Sequence, residues 1–323
     1  MKCLRLLAFA IAGLVALATA THAQTYPARA IKIIVPFAAG SGTDVVARLI
    51  ANELTARVGQ PVLVENQSAG ATVVATQNVA RAEPDGYTLF LTTSAHTILP
   101  SLHKQLPFDV SDDFSPIMLV CAGPLVLAAH PSFPAKNIQE LIALAKSKPG
   151  QINYASSGTG TAPHLAVELL KVKAGIDLMH VPYRGGSPAM NDVLSGVVPM
   201  YFGAPATILS HMKAGSVRVL GQSTATRSEL MKDIPTLVEQ GVAGYNVELW
   251  YALLGPAKLP REVVERVSTE VKAILQKAEV KKSLESLGFE PKTSSLAELA
   301  KYIVSERAQW AEVAKVSNLT EGK

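Results

Sequence analysis

Cysteine is scarce in this chain of 323 residues, which contains only two. Cys3 lies near the N-terminus, and Cys121 ends an apolar stretch that begins at Ile117. If the N-terminal segment is removed, one cysteine remains and no internal disulfide can form. A single cysteine can act as a nucleophile, but these apolar neighbours predict a small, buried side chain. Hydrophobic cores therefore have to hold the fold together.

An excess of one charge is also lacking. The chain has 30 Lys and Arg against 26 Asp and Glu, a formal net charge of +4, and no run rich in Lys or Arg. This balance gives no electrostatic field suited to nucleic acid. Paired cysteines and the His-Glu-x-x-His motif do not occur, and His96 and His103 are too far apart to share a helical face. We expect no nucleic-acid partner, no metal and no other cofactor.

Residues 1–23 predict a cleaved secretory signal peptide. A positive start that includes Arg5 precedes an apolar run over residues 6–17, and Ala23 supplies the small residue before the cut. The alternative is a membrane anchor, but the apolar run falls short of the roughly 20 residues that span a bilayer. Cys3 precedes the apolar run, where no lipoprotein signal would place it. We therefore expect a periplasmic protein.

Strand and helix patterns alternate along the rest of the chain. Short β-branched runs bounded by Pro and Gly predict strands, and apolar residues at helical spacing predict helices. The expected strands are 31–35, 62–65, 87–92, 119–129, 152–156, 177–181, 199–202, 217–222 and 247–254. The first expected helix has Thr43 or Asp44 as its N-cap and ends near Gly59. The other expected helices are 73–82, 138–148, 162–174, 187–195, 261–287 and 296–315. This alternation predicts an α/β fold with mostly parallel sheets flanked by helices.

The α/β pattern restarts in the middle of the chain and returns late, which predicts two lobes. Lobe 1 is expected to combine residues 24–122 and 246–323, and lobe 2 to comprise residues 123–245. The hinge would lie in the crossing segments, near residues 122–127 and 245–248. A cleft between two such lobes is a common place for a small ligand.

Two glycine-rich loops, residues 37–44 and 156–164, each join a predicted strand to a helix N-terminus. Glycines let the backbone approach a ligand closely, and free amides at a helix start favour a carboxylate or phosphate. Neither loop is a P-loop, and Val45 stands where a dinucleotide fingerprint needs its third glycine. One such loop per lobe could hold the two ends of a small diacid. The alternative for each loop is a simple tight turn.

Three side chains near these loops have two interpretations each. Asp44 either caps its helix or meets an amino group on the ligand. His164 either donates to a carboxylate or bonds to backbone. In the turn Tyr183-Arg184-Gly185, the Arg184 guanidinium either clamps a carboxylate or points to solvent.

An enzyme remains the rival class. Ser41, Ser94 or Ser157 with His96 or His164 would suit a periplasmic hydrolase, but no Gly-x-Ser-x-Gly elbow occurs. A third interpretation is a ligand sensor for a membrane signalling protein.

Several segments together resemble the substrate-binding proteins of tripartite tricarboxylate transporters, the Bug-type or TctC-like extracytoplasmic receptors. The resemblance covers the chain from Tyr26 onwards. Its segments are Tyr26-Pro27-Ala28-Arg29, residues 36–48, Pro84-Asp85-Gly86-Tyr87-Thr88-Leu89, Leu106-Pro107-Phe108-Asp109, Asp113-Phe114-Ser115-Pro116, residues 154–161 and His180-Val181-Pro182-Tyr183-Arg184-Gly185.

The resemblance implies a two-lobed, type II periplasmic-binding-protein fold that closes on a small carboxylate and catalyses no reaction. The carboxylate is expected to be a di- or tricarboxylate, an acidic amino acid or an aromatic acid. The resemblance also implies delivery of the solute to tripartite tricarboxylate-type transporter subunits, and we expect a monomer. The expected ligand-binding residues, from the loops and the resemblance together, are Phe37, Ala39, Gly40, Ser41, Gly42, Thr43, Asp44, Ser94, Ser156, Ser157, Thr159, Gly160, Thr161, His164, Tyr183, Arg184 and Gly185.

Two departures from the family pattern bear on ligand identity. Ser41 interrupts a double glycine in the first loop and adds a hydroxyl to the site. In the family, the segment at residues 66–72 is usually richer in glycine and has a proline before a glycine. This chain has neither feature there.

Overall fold

The structure is a computed structural model that describes residues 26–68 and 72–317. The expected signal peptide, residues 1–23, lies outside the described residues. Within the two described ranges, no helix is both long and apolar enough to cross a membrane.

Strands and helices alternate through the described ranges. The strands are β1 Ile31–Val35, β2 Val62–Asn66, β3 Thr88–Thr93, β4 Phe114–Pro124, β5 Val126–Ala129, β6 Asn153–Ser156, β7 Met179–Pro182, β8 Met200–Gly203, β9 Arg218–Gln222, β10 Glu248–Pro256 and β11 Glu290–Pro291. The α-helices are α1 Gly42–Val58, α2 Val73–Ala80, α3 Ala95–Leu102, α4 Ile138–Ser147, α5 Ala162–Ala174, α6 Gly186–Leu194, α7 Leu209–Lys213, α8 Arg261–Leu275, α9 Ala278–Ser286 and α10 Leu296–Val316. Short 3₁₀ turns cover Pro205–Thr207 and Glu229–Met231.

The first sheet has the strand order β11-β4-β10-β3-β1-β2. β1 pairs in parallel with β2 and β3, whereas β10 runs antiparallel to β3 and β4. The sheet is therefore built from both ends of the chain. Ile31, Ile33 and Val35 share one face of β1 and are fully buried; on the other face Ile34 is buried and Lys32 is exposed. We call this sheet and its helices the first lobe.

The second sheet has the order β7-β6-β8-β5-β9. β6 is parallel to β7 and β8, whereas β5 is antiparallel to β8 and β9. We call this sheet with its helices the second lobe. Because β1 and β3 are parallel neighbours, as are β6 and β7, the loops after each pair emerge at one edge of each sheet. The expected α/β class with two sheets is confirmed; the residue boundaries of the lobes stay predictions.

The crossing segments between the lobes lie side by side and are joined by Ser223, which is fully buried. Its hydroxyl accepts from the Leu125 amide at 2.8 Å and donates to the Val247 carbonyl at 2.6 Å. Its own amide and carbonyl bond to the same two residues, at 3.0 and 2.9 Å. The Ser223 side chain therefore holds the crossing segments at Leu125 and Val247 at a fixed distance from each other.

Several local predictions were wrong. Residues 119–129 form parts of two strands, β4 and β5, which separate at Leu125 into different sheets. The expected helix 261–287 divides into α8 and α9. The N-cap of α1 is Ser41, whose hydroxyl accepts from the Asp44 amide, and not Thr43 or Asp44. Helix α3, which contains Pro100, was not predicted. Cys121 is buried, as predicted.

Candidate ligand-binding site

The first loop follows β1 and is held in shape by its own helix. Gly40 has a positive φ of 79°, and its amide donates to the Asp44 carboxylate at 2.8 Å. Ser41 accepts from the Asp44 amide at 3.3 Å. The amides of Gly42 and Thr43 occupy the first two helical positions, where an α-helix offers no acceptor. These amides, with the positive end of the α1 dipole, are suited to an anion.

Asp44 is buried, and both of its oxygens have partners. Besides the Gly40 amide, Arg48 Nε donates to it at 3.0 Å and Asn66 Nδ2 at 2.9 Å. Burial alone would raise the pKa of Asp44, but these hydrogen bonds hold that pKa below its ordinary value. Of the two interpretations given above, this geometry favours a carboxylate that shapes the loop.

The second loop repeats this arrangement in the other lobe. The Gly160 amide donates to Nδ1 of His164, four residues later, at 3.2 Å. Ser156 Oγ accepts from the Gly158 amide at 3.1 Å, and Thr161 Oγ1 donates to the Gly158 carbonyl at 2.7 Å. Ser157 donates to Thr161 Oγ1 at 3.3 Å. Thr161 is the N-cap of α5 but makes no side-chain cap there.

Two stacked histidines support this loop from behind. The rings of His164 and His180 lie 4.0 Å apart, and Tyr154 stacks on His180 at 5.0 Å. His180 Nε2 is 2.7 Å from Ser156 Oγ. Burial lowers the pKa of His164 to about 4 and that of His180 to about 3, the latter also because His164 is close. Both rings are therefore neutral at physiological pH. His164 accepts a hydrogen bond from the Gly160 amide, which is the second of the two roles considered for it in the sequence analysis.

The turn after β7 brings a third helix start to the same edge. The Tyr183 hydroxyl donates to Asp192 at 2.6 Å, and Arg184 is exposed. Gly185 has φ 131° and precedes α6, which has no side-chain cap and no acidic residue in its first turn. The start of α6 thus presents a positive helix end with no acidic side chain in its first turn, and contact of Arg184 with a ligand stays a prediction.

Ser94 lies at the end of β3 and is the N-cap residue of α3. Its side chain is fully buried, yet among the described residues its hydroxyl has no hydrogen-bond partner. Buried hydroxyls are normally paired, so an unpaired one calls for an explanation. That Ser94 contacts a ligand stays a prediction.

Two buried tyrosines were not predicted as site residues. The Tyr251 hydroxyl bonds to the Thr43 side chain and lies 3.2 Å from where a Cβ on Gly42 would be. The Tyr201 hydroxyl bonds to Thr207 and lies beside Gly186, the first residue of α6. Burial raises the pKa of Tyr201 to about 12 and that of Tyr251 further, so both hydroxyls stay protonated. They lie in apolar strand sequences, where a tyrosine is ordinarily a core residue.

The two lobes touch on either side of this region. A Cβ on Gly160 would lie 2.6 Å from Leu102 Cδ1, at the end of α3. Gly288 packs against Pro205. Glu290 accepts from the Ser228 hydroxyl at 2.9 Å across the lobes. These contacts join the two lobes at three points. That the two glycine-rich loops face a common cleft, and that the predicted residues contact a ligand there, stay predictions.

A separate cavity of about 450 Å³ lies beside the crossing segments. Gly123, Glu248, Glu290 and Lys292 are among its lining residues, and none of the predicted ligand residues is. Across residues 26–68 and 72–317, no group of three or more His, Cys, Asp or Glu side chains could hold a metal ion.

Comparison with known proteins gives consistent matches. Residues 46–319 match the family model described as "Tripartite tricarboxylate transporter family receptor". Protein BugT of Bordetella pertussis is 32% identical over 301 residues, which cover 93% of this chain and 92% of that protein.

Two solved structures from Rhodopseudomonas palustris resemble the chain over most of its length. One, determined with adipate, has a TM-score of 0.83 and 31% identity, and the match covers 91% of this chain and 98% of that one. The other, MatC with bound malate, has a TM-score of 0.81 and 29% identity, and the match covers 90% and 100%.

Proposed function

Because the chain belongs to the tripartite tricarboxylate transporter receptor family, whose members are periplasmic solute receptors, we propose that it captures a small carboxylate in the periplasm. It then delivers this solute to a membrane transporter of the tripartite tricarboxylate type. The observation that carries the proposal is the matched pair of loops, in which Gly40 and Gly160 bond to the side chains four residues later. Each loop leaves the amides of a helix start available to an anion.

The mechanism is binding without a chemical step. The open form admits the anion, and amides and hydroxyls from both lobes replace its water. Closure about the segments at Leu125 and Val247 then forms the surface that the transporter recognises. Adipate and malate in the two similar structures support a carboxylate as the solute.

The hydrolase alternative has one observation in its favour, the contact between Ser156 and His180. The low pKa of His180, which burial causes, makes it a weak general base near neutral pH. The Ser156 hydroxyl also bonds to both the amide and the carbonyl of Gly158. These contacts support a structural role, and we infer that the protein is not an enzyme.

The test is a thermal-shift screen of the chain without residues 1–23. The compounds are citrate, C4–C6 diacids, acidic amino acids and aromatic acids, and calorimetry confirms any hit. A ligand at 100 times its dissociation constant should add about 2.7 kcal/mol to the unfolding free energy. The absence of a shift with every carboxylate would overturn the proposal.

A pair of variants at Gly42 tests the role of the α1 amides. Proline suits the first helical position, and Ser41 has the extended conformation (φ −68°, ψ 160°) that a following proline needs. Gly42→Pro therefore removes one amide and keeps the helix, whereas Gly42→Ala adds a Cβ and keeps the amide. If that amide binds a carboxylate, Gly42→Pro should bind about tenfold to a hundredfold more weakly than Gly42→Ala. Equal affinities would show that the anion binds elsewhere.

A further inference from the structure

A short segment of the first lobe, Gly288-Phe289-Glu290, contacts the second lobe at both of its ends. Gly288 packs so closely against Pro205 that a Cβ on Gly288 would overlap the proline ring. Glu290 Oε1 accepts from the Ser228 hydroxyl at 2.9 Å and from the amide of the next residue at 3.3 Å. We call residues 288–290 the latch segment.

The latch segment is held firmly by the first lobe. Its last residue begins β11, which pairs with β4 at the edge of the first sheet. Phe289 is buried and packs against Gly123 at the end of β4. Its ring also meets that of Tyr251 edge-on, with 5.0 Å between the centroids. The latch segment therefore moves with the first lobe.

The partners of the latch segment belong to the second lobe. The Ser228 amide donates to the Gln222 side chain of β9 at 3.0 Å, and Pro205 begins the 3₁₀ turn after β8. The chain passes between the lobes through the crossing segments at Leu125 and Val247, which lie side by side. Rotation of one lobe about these segments would change the latch contacts.

The same contacts connect the starts of two helices, one in each lobe. In the first lobe, Phe289 packs on Tyr251, whose hydroxyl bonds to Thr43 in the first turn of α1. In the second lobe, the turn that begins at the latch proline also contains Thr207. The methyl group of Thr207 would lie 3.1 Å from a Cβ on Gly186, the first residue of α6. The latch segment thus links the α1 start, where we place the anion, to a helix start of the other lobe.

The Glu290 contact is able to open and close. Glu290 lines the cavity beside the crossing segments, and its side chain is 32% exposed. Water can therefore take over its hydrogen bonds when the lobes separate, so that opening leaves no buried group unpaired. The other carboxylate oxygen lies 3.6 Å from Lys292 Nζ, a contact within the first lobe that opening does not affect.

We propose that residues 288–290 form an inter-lobe latch, which favours the closed arrangement of the lobes and so raises ligand affinity from outside the two glycine-rich loops. This inference rests on the proposed function, in which the lobes close on the solute. Removing the Glu290 carboxylate removes charge-assisted hydrogen bonds from the closed form alone. The ratio of closed to open molecules should then fall about tenfold. The apparent dissociation constant should rise by up to the same factor.

Pulsed electron spin resonance on the ligand-free chain without residues 1–23 tests the latch directly. Spin labels are attached after Leu63→Cys and Met179→Cys, at exposed positions on β2 and β7, which are edge strands of the two sheets. Cys121 is buried and does not take a label. The distance between the labels separates closed from open molecules.

The wild type should contain molecules with the label distance of this structure, and Glu290→Ala should lower their ratio to open molecules about tenfold. Glu290→Gln is the control: it keeps an acceptor oxygen for Ser228, and the ratio should change by less than about threefold. Equal ratios in the wild type and a folded Glu290→Ala protein would overturn the latch. A wild type without the closed distance would overturn it as well.

A second pair of variants tests the other end of the latch segment. Gly288 and Gly59 both have a positive φ, of 80° and 71°, so alanine strains the backbone at either position. A Cβ at Gly288 would meet Pro205, whereas no described atom lies within 4 Å of one at Gly59. Gly288→Ala should therefore favour open molecules and Gly59→Ala should not. A folded Gly288→Ala protein that keeps the closed fraction of Gly59→Ala would contradict the latch.

Calorimetry with adipate and L-malate tests the link to binding. We expect Glu290→Ala to bind the acid about tenfold more weakly than Glu290→Gln. Equal affinities, in a Glu290→Ala protein whose closed fraction has fallen, would overturn the link between latch and ligand. If no carboxylate in the wider screen binds the wild type, the proposed function fails, and the label distances decide the latch separately.

Discussion

Replacing Asp44 with alanine should loosen the first loop and lower both stability and affinity. The buried carboxylate accepts from the Gly40 amide at 2.8 Å, Asn66 Nδ2 at 2.9 Å and Arg48 Nε at 3.0 Å. The variant leaves the first two donors without this acceptor, and hydrogen bonds to charged groups are worth about 1.5–3 kcal/mol each. The half-exposed Arg48 adds little because water screens it. We expect a loss of about 3 kcal/mol in the unfolding free energy.

Urea unfolding followed by tryptophan fluorescence measures this loss. Trp250 and Trp310 are both fully buried in the first lobe, so they report on the lobe that contains Asp44. Asp44→Asn is the control: it keeps the shape and one acceptor oxygen, and we expect it to lose about half as much. An Asp44→Ala variant within about 0.5 kcal/mol of the wild type would refute the assigned role.

The pH dependence of the unfolding free energy provides a second test of the role of Asp44. The folded pKa of Asp44 is lowered, so its stabilisation is present above the unfolded value and is lost as pH falls through the folded one. The stability difference between wild type and Asp44→Asn should therefore shrink as the pH drops below about 4. A difference that stays constant down to pH 3 would contradict the ionised, hydrogen-bonded carboxylate.

Three further predictions concern the second lobe and the crossing segments. Gly160→Ala should weaken ligand binding, because the added Cβ would meet Leu102 of the other lobe. Gly175→Ala is the control: its φ is also positive, but no atom lies within 4 Å of its Cβ, so ligand binding should not change. Calorimetry measures the affinity of both variants. Ser223→Ala leaves a buried amide and a buried carbonyl unpaired and should cost about 2–3 kcal/mol in urea unfolding; a loss below about 0.5 kcal/mol would contradict the joining role. Burial keeps the pKa of His180 near 3, against 6.5 ordinarily, so the melting temperature should fall as pH drops from about 6.5 towards 4. His180→Phe should make that slope shallower, and an unchanged slope would assign the acid sensitivity to other groups.

The strand and helix pattern was predictable because each element carries its period in its own residues. β1 is a β-branched run between prolines, and α1 has apolar residues at helical spacing after a glycine loop. Such signals are local, so they do not depend on knowing the tertiary structure. The two glycine-rich loops were predictable as strand-to-helix connections for the same reason, since glycines between a strand and a helix are visible in sequence. That they bind a ligand stays a prediction.

The sequence contains a signal for the separation of β4 from β5, but the prediction of one continuous strand missed it. Gly123-Pro124 is a turn signal, but apolar residues on both sides made the segment resemble one long strand. The split between α8 and α9 has no such mark, because no glycine or proline interrupts residues 261–286.

The tyrosines of the cleft could not have been found from sequence. Tyr201 lies in Met200–Gly203 and Tyr251 in Glu248–Pro256, both almost wholly buried strands. Each hydroxyl lies beside a helix start of its own lobe, at Gly42 and at Gly186, and neither pair is close in sequence. Ser223 is similar, since its partners Leu125 and Val247 are distant in sequence.

A crystal structure of the chain without residues 1–23, bound to a C4–C6 diacid found in the screen, tests the central claim most directly. The account predicts one carboxylate on the amides of Gly42 and Thr43, and the other at the start of α5 or α6 in the second lobe. It also predicts a ligand atom within hydrogen-bond distance of Ser94 Oγ. A diacid in the cavity beside Glu248 and Glu290, or one held by a single lobe, would contradict the account.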